Sequence, residues 1–104
     1  MHVRIIDKST GEVLADARDG QVQKIEGNWY IDPAAVSAKL TMTQHDYTCP
    51  YKGTCYYADL VNGDRRIPDI AWVYGSPKPG WEHIKGRFGF YAGDAKKTRD
   101  EVAE

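Results

Sequence analysis

Apolar residues recur at every second position over short runs and are interrupted by turn residues every few positions, a pattern that predicts antiparallel strands rather than helices. Val3 to Asp7 reads as a first strand, turned by Lys8-Ser9-Thr10-Gly11. Glu12 to Arg18 sets Val13, Ala15 and Ala17 against Glu12, Leu14, Asp16 and Arg18, and Leu14 on the polar side predicts that both faces are partly covered. Asp19-Gly20 is a hairpin signal because the matching turn needs positive φ at both central positions, and it predicts Gln21 to Glu26 as the returning strand. Gly27-Asn28 offers another turn before Trp29-Tyr30-Ile31.

Asp32-Pro33 predicts a helix start, with Asp as the cap and proline where no hydrogen bond is lost, so Pro33 to Lys39 is expected to form two turns. Leu40 to Thr43 reads as extended, and the polar stretch His45 to Gly53 as a loop. Thr54 to Val61 is a tyrosine-rich strand closed by the hairpin signal Asn62-Gly63. Its partner is Arg65 to Tyr74, where Pro68 requires a bulge or an edge position. Gly75-Ser76-Pro77-Lys78-Pro79-Gly80 is a loop. Trp81 to Ile84 fits a short helical turn, Arg87 to Tyr91 a last strand, and Asp94 to Glu104 a charged, weakly helical, frayed end. The whole is mainly β: one small antiparallel domain over residues 1–104, with one or two short helices.

Composition agrees with a single core. The chain has 104 residues, 12% of them aromatic, which suits half-buried sheet surfaces. A formal charge of -1 supplies no general attraction to nucleic acid or anionic lipid, so neither is expected as a partner. The start Met1-His2-Val3-Arg4-Ile5-Ile6 has no long apolar run, and no stretch reaches the roughly 20 residues of a membrane helix. A cytoplasmic location is expected, with Cys49 and Cys55 reduced.

Candidate chemistry concentrates in Thr48-Cys49-Pro50-Tyr51-Lys52-Gly53, where a thiol, an amine and two turn-forming residues share six positions. A thiol and an amine three residues apart can line one pocket and tune each other's protonation. The same residues also serve as a buried small thiol in a tight turn, and Glu26 is the carboxylate that would complete a site beside Lys52. His45, Cys49, Cys55 and His83 lack the paired spacing of zinc ligands, so no metal and no cofactor is expected. Lys85-Gly86-Arg87-Phe88-Gly89-Phe90-Tyr91 resembles an RNA-stacking strand out of register, and Phe88 and Phe90 read as core, with the glycines allowing close approach of other backbone. Phosphate-loop and serine-elbow motifs are absent. Trp72, Tyr74 and Trp81 fit either an aromatic pocket or the core.

The order of Gly11-Glu12-Val13-Leu14-Ala15-Asp16, Glu26-Gly27-Asn28-Trp29-Tyr30, Thr48-Cys49-Pro50-Tyr51-Lys52-Gly53, Asp69-Ile70-Ala71-Trp72-Val73-Tyr74 with Pro77, and Ile84-Lys85-Gly86 with Phe90-Tyr91 resembles domain-of-unknown-function family 427, also labelled nucleotidyltransferase-like. The resemblance implies a small tent-like β fold, similar to methionine sulfoxide reductase B folds, and no established activity. The transferase label implies metal-holding paired carboxylates, and Gly75-Ser76 has no Asp-x-Asp or Asp-x-Glu downstream. On this reading Glu26, Cys49 and Lys52 are candidate catalytic residues, and Trp72, Tyr74, Tyr51 and Pro77 candidate ligand contacts, for a small polar metabolite. Lys52 would hold an electrophile or act as general acid, Glu26 as counter-charge or base, and Cys49 as nucleophile or packing thiol. The alternatives are a protein-interaction module that pairs with a partner or as a homodimer through exposed aromatics, and thiol redox work by Cys49 with Cys55.

Overall fold

Turn chemistry decides where the chain reverses, and the strands between the turns assemble into two antiparallel sheets. The computed structural model describes residues 1–104. Its strands are β1 (His2–Asp7), β2 (Val13–Arg18), β3 (Val22–Ile25), β4 (Asn28–Ile31), β5 (Leu40–Cys49), β6 (Gly53–Asn62), β7 (Arg65–Val73), β8 (Phe88–Tyr91) and β9 (Thr98–Ala103). The smaller sheet runs β2-β1-β9 and the larger β3-β4-β8-β7-β6-β5. The mainly β class is as the sequence predicts, and the short helices reduce to two 3-10 turns, Pro33–Ala35 and Glu82–Ile84.

Four local expectations are corrected. Asp32 does cap a turn, its carboxylate accepting from the Ala34 N–H, but the expected helix to Lys39 stops because Val36 bridges to Ala15 and the N–H groups of Ser37 and Ala38 donate to the Leu14 carbonyl. Asp19-Gly20 turns the chain, with Gly20 at φ 86, yet the strands on either side enter different sheets, so no hairpin forms. Residues 45–49, expected as loop, belong to β5, a polar edge strand paired only with β6. The charged end is a strand and not a helix: β9 pairs with β1 from His2 opposite Ala103 to Asp7 opposite Thr98.

Alternation along the larger sheet separates two apolar layers. Trp29, Ile31, Ala58, Leu60, Ile70, Ala71 and Phe90 face the smaller sheet and pack with Val3, Ile5, Leu14, Ala15 and Ala17. Tyr30, Cys49, Cys55, Trp72 and Tyr74 form a second cluster, which Ile84 and Trp81 join from the segment after β7. Leu14 is fully buried as well as its neighbours Ala15 and Ala17, so β2 is covered on both faces as its broken alternation predicts. Trp29 Nε1–H donates to Asp100 at 2.7 Å, a bond from the larger sheet to β9.

Two bulges interrupt the larger sheet. On β7, Pro68, Asp69 and Ile70 face the single residue Asp59 of β6, and Asp69 takes φ 55. This is the irregularity that Pro68, lacking an N–H, demands. On β5, residues 43–45 face the single residue Tyr57.

Candidate functional site

The β5–β6 hairpin carries the segment that the sequence marks. Cys49 pairs with Gly53 across a three-residue turn of Pro50, Tyr51 and Lys52, and Gly53 closes it at φ 105, a conformation natural to glycine. The Lys78 N–H donates to the Lys52 carbonyl at 2.8 Å and Lys78 Nζ to the Pro50 carbonyl at 2.9 Å, so the proline-rich loop is fastened onto the hairpin tip. The β3–β4 hairpin brings Glu26 to the same place. Its two central residues are Glu26 and Gly27, at φ 53 and 79, one position earlier than the sequence pattern suggests, with Asn28 already the first residue of β4.

Lys52 and Glu26 form an ion pair. The lysine side chain is only 12% exposed against 58% for the glutamate, and its ammonium lies 4.9 Å from the Trp81 ring centroid. The cation is thus the sheltered member and the carboxylate the accessible one.

Inward of this pair is a cavity of about 320 Å3, lined by Glu26, Asn28, Tyr30, Tyr47, Cys49, Lys52, Cys55, Tyr57, Trp72, Tyr74 and Tyr91. Five of the residues singled out from sequence, Glu26, Cys49, Lys52, Trp72 and Tyr74, therefore meet on one wall system. Tyr51 and Pro77 do not join them. Tyr51 is 74% exposed at the hairpin tip, and Pro77 is half-buried outside the lining. Tyr30, Tyr57 and Tyr91 contribute walls that sequence reasoning passed over, although alternation puts Tyr57 on the same face as Cys55.

The walls are ordered by aromatic packing and hydrogen bonds. Trp72 meets Tyr30 edge-on with centroids 6.3 Å apart, lies 4.9 Å from Tyr91, and donates Nε1–H to the Tyr30 hydroxyl at 3.3 Å. Tyr30 keeps its own proton free to donate. Gly89 makes the arrangement possible, since an added Cβ would lie 2.2 Å from Trp72 Nε1. The sequence reading expected backbone to approach this glycine; an indole does so instead.

Burial pushes the Tyr74 phenol far up, and it raises the Tyr30 phenol and the Cys55 thiol as well. These groups stay protonated at neutral pH and act as neutral donors and acceptors. Both cysteines are free and buried. No three His, Cys, Asp or Glu side chains converge as metal ligands, and no helix is long and apolar enough to cross a membrane.

The fold and its site define a small two-sheet β domain with an aromatic cavity, rimmed by one ion pair, on the outer face of the larger sheet. The chain belongs to the family described as domain of unknown function DUF427, whose model matches residues 1–101. No curated protein matches it.

Proposed function

We propose that the aromatic cavity binds a small, flat, polar molecule, with Lys52 and Glu26 as a clasp at its mouth. The observation that carries this reading is the meeting of an aromatic wall, neutral hydrogen-bonding groups and one sheltered cation, drawn from separate hairpins and loops, around a single cavity. At about 320 Å3 it has room for roughly ten water molecules at ~30 Å3 each, the low end of ligand-pocket sizes. A ring packs against the exposed Tyr47 and Tyr91 and the half-buried Tyr57, over a floor formed by the edges of Trp72, Tyr30 and Tyr74, and the Tyr30 hydroxyl donates to a ring heteroatom. Glu26, exposed and on a hairpin tip, is the counter-ion that a ligand carboxylate replaces on Lys52.

Binding leads over thiol redox work in this reading because burial raises the Cys55 thiol, which lowers its thiolate fraction. Turnover would use the same residues, with Lys52 as acid and Cys49 as nucleophile, and the reading takes both thiols as reduced, as in the cytosol. A second reading, self-association, is favoured by exposed Tyr47, Tyr51 and Tyr56. Trp72, at 6% exposure, is unavailable to anchor it.

The test is Trp fluorescence titrated with benzoate, nicotinate and picolinate. Saturable quenching that Lys52→Met abolishes, with unchanged circular dichroism, supports the clasp. No quenching by any of the three, or equal quenching in the variant, overturns it, and a concentration-dependent mass by light scattering transfers support to self-association.

A further inference from the structure

The two bulges of the larger sheet build a second constellation, which the aromatic cavity does not use. His45 comes from the bulge on β5 and Asp69 from the bulge on β7, strands that flank β6 on opposite sides. They meet across Tyr57: the imidazole stacks on the Tyr57 ring at 4.6 Å, and its Nδ1 lies 3.0 and 3.1 Å from the two Asp69 carboxylate oxygens.

Each bulge is held in shape by its own polar support. The Thr43 hydroxyl donates to the Tyr57 carbonyl at 2.9 Å and accepts the His45 N–H at 3.1 Å. On the other side the Asp69 N–H donates at 3.0 Å to Asp59, a carboxylate only 2% exposed that Arg66 also engages, and the Lys97 ammonium caps the Pro68 carbonyl. Bulges re-aim side chains and concentrate beside functional sites, and positive φ at a non-glycine residue is a conformation that its surroundings must enforce. Here two bulges converge on one hydrogen-bonded His–Asp pair.

His45 and Asp69 line the largest cavity of the molecule, about 530 Å3, with Tyr57, Tyr91, Lys96 and Lys97 among the other walls. Asp69 fixes Nδ1 as the protonated nitrogen and leaves Nε2 without a protein partner. Lys96 is exposed and takes part in none of the ion pairs. The lining holds His45, Lys96 and Lys97 against the single carboxylate of Asp69, an excess of basic side chains. That excess matches a phosphoryl dianion better than a carboxylate.

We propose that this cavity binds the phosphoryl group of a small phosphate ester, with His45 Nε2–H and the Lys96 ammonium as the direct donors and Asp69 as the residue that positions the imidazole. The site shares only the Tyr57 and Tyr91 walls with the aromatic cavity, and it stands whether or not that cavity takes a ligand.

The test is a titration at about pH 7 with glycerol phosphate, a monoester whose second pKa of about 6 makes it mainly the dianion there, followed by the ring resonances of His2, His45 and His83 in NMR spectra. His45 is expected to shift saturably at millimolar glycerol phosphate while His2 and His83 drift only with ionic strength. Lys96→Ala, a change at an exposed position, weakens the interaction about fivefold to tenfold, the loss of one charge-assisted contact. A His45 response as linear as that of His83, or an unchanged titration in Lys96→Ala, overturns the site. Acetate that saturates His45 as tightly as glycerol phosphate overturns the assignment to a dianion.

Discussion

Replacing Gly89 by alanine probes how rigidly Trp72 is seated. The new Cβ would lie 2.2 Å from Nε1 and 2.3 Å from Cε2 of the indole, well inside any contact that real atoms make. Trp72 has little freedom to retreat, being edge-on to Tyr30, packed by Tyr91 and hydrogen-bonded through Nε1. Overpacking of this kind costs roughly 1–3 kcal/mol, and a displaced indole gives up a hydrogen bond worth about 1 kcal/mol. Against this, alanine restores roughly 0.5–1 kcal/mol that glycine costs in a strand. The net expectation is a loss of about 1–3.5 kcal/mol, which for a domain of this size lowers Tm by roughly 5–20 °C. Urea unfolding followed by circular dichroism gives the free energy, and Trp emission reports on the indole environment. Gly75→Ala is the matched control, since nothing lies within 4 Å of a Cβ there and its φ is ordinary. If Gly89→Ala keeps the wild-type midpoint and emission, the indole has another seat and the account of the cavity wall is wrong.

Acid should unfold the protein through its buried aspartates. The Asp69 N–H holds the Asp59 carboxyl below its ordinary range despite burial, aided by Arg66, while burial pushes Asp7 up but is outweighed by Arg65, Ser9 and Thr10. Because both folded-state pKa values are depressed, their stabilisation is complete above the unfolded value of about 3.9 and disappears as pH falls through the folded ones. Asp59→Asn is therefore expected to cost roughly 1–3 kcal/mol at neutral pH and to flatten the acid limb of the urea midpoint plotted against pH; a limb as steep as wild type would contradict this. Cys55 should resist iodoacetamide at mildly alkaline pH until the protein is unfolded, because burial raises its thiol; rapid native-state alkylation, read by mass spectrometry, would count against the buried wall. Deleting residues 98–104 removes the β9 partner of β1 and the Asp100 acceptor of Trp29, and is expected to abolish cooperative unfolding. A sharp thermal transition in the truncated chain would show that the smaller sheet stands without β9.

The strands legible in the sequence are those with one buried face. β6 and β7 are marked by Asn62-Gly63, where Gly63 at φ 62 supplies the first central residue of the hairpin, and by the alternation of Cys55 and Tyr57 against Ala58 and Leu60. The second half of β5 and all of β9 were illegible for one reason: they belong to edge strands whose side chains are mostly exposed and polar, so no apolar period marks them. In β9 the buried or half-buried positions are Thr98 and Asp100, and the latter earns its place by accepting from Trp29 and from the Gly93 N–H, which no hydrophobic pattern encodes. The helix expected from Asp32-Pro33 failed because local capping was present but the following N–H groups had a tertiary acceptor in Leu14. In the candidate site, residue types in one tight hairpin pointed to Cys49 and Lys52, whereas Tyr51 could not be sorted from them because the direction of a turn residue is not set by strand period. His45 and Asp69 were separately visible, but their meeting depends on two bulges that sequence spacing does not reveal.

The pairing of His2 with Ala103 makes β1 the strand with the longest wait in the chain. β1 and β2 can close early as a neighbouring hairpin, yet one edge of β1 stays open until β9 has been synthesised and has left the ribosome. During that interval Val3 and Ile5, fully buried in the finished protein, sit beside an unpaired row of backbone groups, an arrangement that invites pairing with the same strand of another nascent chain. The closing contact also has the greatest sequence separation, so its loop entropy falls on the slow side of folding. A chain in which β9 has not yet paired is therefore expected to self-associate through the open side of β1.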